Sequence, residues 1–447
     1  MKPYAVIGAG PMGLATVRNL HRYGIPVVGL EIHDNVGGLW DIDSPTSTMY
    51  ESAHLISSKK MTEYDEFPMA DSVATYPNHR EIRDYFRAYA REFGLYDLYE
   101  FKTEVLRCEP KGDEWEVTTR CNGEEQTRIF SGVLIANGTL HHPNKVELPG
   151  EFEGEMIHAC DYRDPATFDG KRVLIIGCGN SGADIAVDAV HRAKSVDMSL
   201  RRGYYFVPKF IGGKPADATG KKLKLPRFIS QAVMKFMVGT AEQYGLPKPD
   251  YKMFESHPVV NSLILHHLGH GDITPRKDIS AVEGKKVTFK DGASAEYDMI
   301  LAATGYKLHY PFIDREHLNW PGMAPRLHLN VFHPQYDNLF VMGMVEATGL
   351  GWQGRYDQAE MVALFIKQKH AGAKSAEKLR EVKRQRAEIR VDGGMQYLEL
   401  ERMAYYVHKD SYMKEVYKQI AALKKDFREE LPLNVTVQMQ VPVAEPA

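Results

Sequence analysis

The chain carries one device twice. Residues 5–15 read "AVIGAGPMGLA" and residues 173–186 read "VLIIGCGNSGADIA". Each is an apolar run, a turn with three glycines spaced G-x-G-x-x-G, and the start of a helix. The first loop has Gly8, Gly10 and Gly13, and the second has Gly177, Gly179 and Gly182. In such a loop the first glycine permits a tight turn, the second lets the backbone approach a pyrophosphate, and the third lets helix pack on strand. The helix then offers unpaired N–H groups and a positive dipole end to phosphates. The pattern specifies an α/β fold with two Rossmann-like dinucleotide-binding domains.

The two loops differ at the end of the next strand. After the first, the strand "IPVVGLE" ends at Glu31, whose carboxylate can accept hydrogen bonds from ribose hydroxyls. After the second, the strand "SVDMSL" runs into Arg201 and Arg202. An acid would repel a ribose 2′-phosphate, whereas an arginine pair attracts it. Loop one therefore reads as a site for a dinucleotide with a free ribose, and loop two as a site for NADPH. A hydride donor beside an electron carrier makes FAD the first cofactor.

Composition narrows the class. The 447 residues suit about two or three domains. The net charge of −3, from 56 basic and 59 acidic residues, does not suggest a nucleic-acid or anionic-membrane surface. No apolar run approaches the roughly 18 residues that span a bilayer, and the chain opens directly on a strand without a signal-peptide pattern. Cys108, Cys121, Cys160 and Cys178 form no C-x-x-C pair, which fits free thiols and a cytoplasmic location.

Further motifs narrow the family. "HDNVGGLWDI" turns sharply at Gly37 and Gly38, placing Leu39 and Trp40 to cover a flat ring or to fill the core. "GVLIANGTLHHPNKVELPG" and "YDMILAATGYKLHYPF" are two similar buried runs that leave into polar loops. "FEGEMIHACDY" sets Phe152, Gly154, His158 and Tyr162 in the pattern F-x-G-x-x-x-H-x-x-x-Y. Together with "ATGY" (303–306), these motifs make the sequence resemble the flavin-containing monooxygenases over residues 2–363. Baeyer–Villiger and N-hydroxylating monooxygenases share the two loops. The Baeyer–Villiger fingerprint usually has a tryptophan or further glycines around its histidine, which "FEGEMIHACDY" lacks.

The resemblance implies that Gly8, Gly10, Met12, Gly13, Glu31, Leu39, Trp40 and the backbone of Val105 touch FAD. It implies that Gly177, Gly179, Asn180, Ser181 and Gly182 meet the NADP pyrophosphate, with Ser199, Arg201 and Arg202 around the adenosine ribose. His158 and Tyr162 read as structural. The implied layout is an NADPH domain (165–282) inserted into a discontinuous FAD domain (1–164 and 283–447). An irregular stretch at 209–272 reads equally as a mobile loop or a lid. His257, His266, His267 and His270 lack an acidic or cysteine partner motif, so no metal is expected. The charged stretch "AEKLREVKRQRAEIR" has the pattern of a solvated helix, with packing on its own domain or on a homodimer partner left open.

The implied reaction passes a hydride from NADPH to FAD. A flavin C4a-hydroperoxide formed with O₂ then oxygenates an amine nitrogen or a sulfide sulfur. Ketone oxygenation of the Baeyer–Villiger type and a largely uncoupled NADPH oxidase are the alternatives. In the family an asparagine ten residues before the acid of "EFP" faces the flavin. Here that position is Ile56, with Ser57 next to it. Isoleucine cannot donate a hydrogen bond and serine can. Ile56 and Ser57 are therefore the candidate hydroperoxide-facing positions, and this chain departs from the family there.

Overall fold

The computed structural model describes residues 1–217, 232, 235–387, 389, 391–427, 431–432 and 435–440. Contacts divide the chain into two units. Met1–Pro45, Lys59–Thr139 and Leu308–Ala447 form the first, and Thr46–Ser58 with Leu140–Lys307 form the second.

The first unit is built on a five-stranded sheet in the order Leu339–Val341, Gly132–Ile135, Tyr4–Ile7, Val27–Leu30, Tyr99–Glu100. Every pairing is parallel, with Tyr4 opposite both Val27 and Gly132. All four residues of Tyr4–Ile7 and of Gly132–Ile135 are buried. An unbroken apolar run is what a parallel strand covered on both faces requires. The helix Pro11–Arg22 follows the opening strand, and the long buried helix Gly351–His370 packs against it. An antiparallel sheet of Thr103–Lys111, Glu114–Cys121 and Glu124–Phe130 is appended, with Trp115 and Val117 buried in the unit's core.

The charged tail is not a free solvated helix. Helices Lys374–Gln385 and Lys409–Lys425 both pack on Gly351–His370. Gln358 Nε2 donates to the Tyr412 hydroxyl at 2.5 Å. Lys383, fully buried, pairs with Asp337 at 2.8 Å and donates to the carbonyls of His333 and Tyr336 at 2.6 and 3.0 Å. Farther on, the N–H groups of Val437 and Met439 donate to the carbonyls of Glu66 and Pro68 at 2.8 and 3.0 Å.

The second unit repeats the plan. Its sheet runs Glu155–His158, Met299–Ala302, Arg172–Ile176, Ser195–Ser199, Ile273–Arg276, again all parallel. The boundaries expected at 164/165 and 282/283 both fall inside this unit. The physical reason is strand pairing: Met299–Ala302 lies between Glu155–His158 and Arg172–Ile176, so the chain on both sides of the expected insert joins the insert's own sheet. Gly150–Phe152, Ile279–Gly284, Lys286–Phe289 and Ser294–Glu296 make a second sheet in the same unit. Within 209–272 the structure places a short hairpin at Phe210–Ile211 and Lys214–Pro215 and the helix Leu263–His270. Residues 218–231, 233 and 234 of that stretch lie outside the described residues. Among the described residues no helix is long and apolar enough to cross a membrane.

One buried acid gives the first unit a pH dependence. Asp357, on Gly351–His370, accepts from Gln353 Nε2 at 2.7 Å and from the Tyr417 hydroxyl at 2.8 Å. Burial pushes its carboxyl up to about 6. The folded state thus holds this proton more tightly than the unfolded chain does. The stability it contributes is fully present below the ordinary carboxylate range and is lost as pH rises through about 6. Asp357→Asn should therefore raise the melting temperature at about pH 7.5 and change it little at about pH 4, as read by calorimetry. An equal shift at both pH values would contradict this assignment.

Candidate functional site

In both loops the protein itself explains the first and third glycines. Gly8 and Gly177 have φ of +107° and +97°, and a Cβ on either would stand 2.7 Å from the carbonyl oxygen of Ala136 or Ala303, respectively. Those carbonyls end the two similar runs noted in the sequence. A Cβ on Gly13 would overlap the Gly8 carbonyl oxygen, and one on Gly182 would overlap that of Gly177.

The middle glycines are different. Gly10 and Gly179 have φ of −74° and −72° with extended ψ, a conformation open to any residue. A Cβ on Gly10 would be 3.7 Å from Gly38 Cα, an ordinary contact, and one on Gly179 would meet nothing within 4 Å. Neither of the helices these loops open has a side-chain cap at its N-terminus. Two loops whose middle glycine leaves room for a close approach, each at a helix N-terminus without a side-chain cap, fit the phosphates of two dinucleotides.

Around loop one, Glu31 has a task that its sequence position did not reveal. Its carboxylate accepts from Ala9 N at 2.5 Å and from His33 N at 3.0 Å, fastening the glycine loop to the strand end. Burial pushes this carboxyl up, and the backbone donors draw it back down. Gly37 N donates to the Ala9 carbonyl at 3.0 Å, so the "GGLW" turn is fastened to the same loop. Leu39 and Trp40 lie half-buried in the short 3₁₀ turn there, with Trp40 edge-on to Trp352. Met12 is buried in the helix, and Val105 pairs with Thr119 just before a bulge in its strand.

A cleft of about 590 Å³ opens beside Gly38, lined by His33, Asp41, Arg87 and Lys102 among others. Arg87 and Lys102 were missed in the sequence. Arg87 comes from the helix His79–Glu92, far along the chain, and pairs with Asp41 at 2.6 Å. Lys102 carries a left-handed φ of +53°.

Around loop two, the structure corrects the register of the arginines. Gly8 N donates to the Leu30 carbonyl, and Gly177 N donates to the Ser199 carbonyl. Leu30 and Ser199 are thus equivalent, and the residue matching Glu31 is Leu200, which is buried. Arg201 and Arg202 come one and two residues later. Arg201 is exposed and makes no ion pair among the described residues, whereas Arg202 lies 3.5 Å from Asp250. The Ser199 hydroxyl donates to the Lys277 carbonyl at 2.9 Å, and Asn180 accepts from Val260 N at 2.7 Å. Ser181 is half-buried in the first turn of the helix. The Tyr204 ring lies against this loop at Cys178, so a tyrosine neighbours the position where Glu31 touches the first loop.

The remaining candidates divide plainly. Ile56 and Ser57 are half-buried in a bend and belong to the second unit. His158 accepts from Cys160 N at 3.1 Å within its own turn, and burial pushes its pKa down. Tyr162 donates to Asp188 at 2.8 Å. His266 and His270 are exposed, and His267 bonds Asp272 at 2.9 Å. Among the described residues the one set of three side chains close enough to share a metal ion is Asp314, Glu316 and His317. All four cysteines are free, and burial pushes the Cys178 thiol up to about 12.

Comparison with known proteins decides the family. The model of the flavin-binding monooxygenase-like family matches residues 1–429. The chain belongs to that family. It is 31% identical over 381 residues to rabbit (Oryctolagus cuniculus) flavin-containing monooxygenase 5, covering 78% of this chain and 70% of the relative. To the rabbit dimethylaniline monooxygenase [N-oxide-forming] 2 it is 29% identical over 377 residues, with the same coverage. A cyclohexanone monooxygenase variant from Rhodococcus sp. Phi1, bound to NADP⁺, superimposes with a TM-score of 0.71 at 19% identity, covering 96% of this chain and 98% of that one. That likeness shows the shared fold of Rossmann-like domains. The protein is an NADPH-dependent flavin monooxygenase, with FAD and NADPH as its cofactors.

The glycines make a paired prediction. In cofactor-free protein, Gly10→Ala and Gly179→Ala should leave the melting temperature within about 2 °C, because the new Cβ meets no clash. Gly13→Ala and Gly182→Ala should lower it by several degrees or prevent folding. Calorimetry of the four variants tests this, and equal losses at all four positions would contradict it.

Proposed function

We propose that the first unit holds FAD at Gly8–Gly13 and the second holds NADPH at Gly177–Gly182. The enzyme then adds one oxygen atom of O₂ to a soft nucleophile, an amine nitrogen or a sulfide sulfur. The observation that carries this reading is the pair of middle glycines, Gly10 and Gly179, that no neighbour requires, at helix N-termini without a side-chain cap, together with their different strand ends. A carboxylate stands at the end of one, while a buried leucine and then an exposed arginine stand at the other. The relative named as N-oxide-forming supports the amine class.

Bound FAD, reduced by NADPH, supplies the activation of O₂. The chain supplies binding and orientation. Glu31 keeps loop one in shape, and the cleft beside Gly38 sets Lys102 and the Asp41-paired Arg87 against the acids Asp34, Asp41 and Asp43. Leu39, Trp40, Met12 and the Val105 backbone are the residues that would hold the flavin. In the second unit Asn180 and Ser181 open the helix over the pyrophosphate, and Ser199 shapes the ribose end. Arg201 meets the 2′-phosphate with little to give up, and Arg202 does so in exchange for Asp250.

This reading makes two predictions. A hydrogen bond to a charged group contributes about 1.5–3 kcal/mol, and about 1.4 kcal/mol is tenfold in affinity. Replacing Arg201 and Arg202 by alanine should weaken NADPH about a hundredfold or more and leave NADH nearly unchanged, with Arg201 the larger share. Equal losses for both nucleotides in titrations would overturn the assignment.

Ile56 favours a second reading, an oxidase that releases much of its oxygen as H₂O₂. One preorganised donor is worth about 2.7–4 kcal/mol where it faces developing charge, and Ile56 offers none. The unaltered enzyme should leak H₂O₂ during NADPH oxidation. Ile56→Asn should lower the H₂O₂ formed per NADPH, and Ser57→Ala should raise it if the serine acts as donor. A leak indifferent to both substitutions would remove these residues from the site.

A further inference from the structure

We infer that His266 and His270 form a two-imidazole site for a divalent transition-metal ion of the zinc class on the surface of the second unit. Every group involved belongs to that unit, and neither nucleotide is needed.

The two histidines stand at i and i+4 on the helix Leu263–His270. Side chains four residues apart lie on one face of a helix, with Cβ atoms about 5–6 Å from each other. Ile264, Leu265 and Leu268 turn into the unit's core, which leaves His266 and His270 exposed on the outer face. Their ring centroids are 3.9 Å apart, with the planes at 49°. Neither ring makes a hydrogen bond among the described residues, so each has nitrogen to give. Imidazole nitrogens bind zinc at about 2.0–2.1 Å, which sets the centroids of a tetrahedral pair roughly 5 Å apart. Parting the two rings by about an ångström makes room for the ion, and small χ rotations of exposed side chains do this.

The surroundings favour a cation. The helix ends at Gly271, whose φ of +82° reverses the chain, and Gly271 N and Asp272 N donate to the carbonyls of Leu268 and His267. The negative end of the helix dipole therefore lies beside His270. The same reversal brings Asp272 back to the helix, where its Oδ2 bonds His267 Nδ1 at 2.9 Å. That bond first, and then the charges of His267, His270 and His266, hold the Asp272 carboxyl below its ordinary range. The carboxylate is thus within electrostatic reach of an ion on the pair. A shallow pocket lined by Tyr244, Ser262, Leu265 and Gly269 borders both rings and admits the waters that complete the coordination.

The donor set selects the metal. Imidazoles suit zinc and nickel, whereas magnesium and calcium take oxygen donors. Two protein ligands make an open site rather than a closed structural one, in keeping with the lack of a cysteine or acidic partner motif in the sequence. His267, one residue on, faces another way and is engaged with Asp272 and, edge-on at 5.6 Å between centroids, with His191.

The test titrates Zn²⁺ by calorimetry into the full chain with FAD bound, at about pH 7.5, where imidazoles are neutral, and without free nucleotide, whose phosphates compete for the metal. One ion should bind per chain. Affinity should fall about tenfold or more in His266→Ala and in His270→Ala, vanish in the double variant, and stay within about twofold in His267→Ala and His317→Ala. Both sites are exposed and alanine is the better helix former, so the variants fold. Zn²⁺ should slow amide hydrogen exchange over residues 267–271 severalfold in the unaltered protein and not in the double variant, and Mg²⁺ should do neither. Absence of saturable Zn²⁺ binding overturns the proposal, as does binding that survives the double variant. Binding lost with His317→Ala also overturns it, by placing the ion at Asp314, Glu316 and His317. A loss in His267→Ala equal to that in His266→Ala would refute the pairing of His266 with His270.

Discussion

Everything in each unit hangs on the contact between the third glycine of a loop and the carbonyl of the first. At Gly13 against Gly8, and at Gly182 against Gly177, no side chain fits between helix and strand end. This closeness aims the helix's first N–H groups past the sheet edge, and it puts the middle glycine at the rim. Packing dictates the outer two glycines. The middle one is free of any demand from the protein and takes its meaning from what binds. A motif that looks uniform in sequence is thus two residues fixed by packing around one that packing leaves free.

Much of this was legible because the loops are local. Strand, turn and helix are contiguous, and the first and third glycines are explained by neighbours a few residues away or by a run that looks alike in both halves, "LIAN" and "LAAT". The distance from Gly8 to Glu31, stepped off from Gly177, lands on Leu200, so the arginines begin one residue beyond the matching position. The boundaries at 164 and 282 could not be read, because they depend on Met299–Ala302 pairing with strands more than a hundred residues upstream. Arg87 stayed hidden for a similar reason, since an arginine on an amphipathic helix looks like solvated surface until the turn it faces is known.

The two loops also divide their electrostatics in a way that composition conceals. A net charge near zero says nothing about Glu31 fastening one loop with a carboxylate while a tyrosine touches the other. The carboxylate that favours free ribose hydroxyls at one strand end would oppose a phosphate at the other. On the assignment proposed above, Leu200 would remove that opposition before Arg201 adds attraction. On that assignment, cofactor preference would be set as much by what is withheld at the strand end as by what is supplied.

The interleaving of the two units has a consequence for how the chain is made. The second unit's central strands are all present once Ala302 has been synthesised, so its sheet can close while the remainder is still on the ribosome. The first unit opens with Tyr4–Ile7 but waits for Leu339–Val341 to complete its sheet and for Gly351–His370 to cover it. Until then Gly132–Ile135 lacks its outer neighbour and the sheet its covering helix, and closing the sheet must bridge the 206 residues from Val133 to Leu339. Separations of that length slow folding and leave strand edges open to wrong partners. The part of the molecule that begins first is therefore finished last, and the interval between is when this protein is most exposed to aggregation.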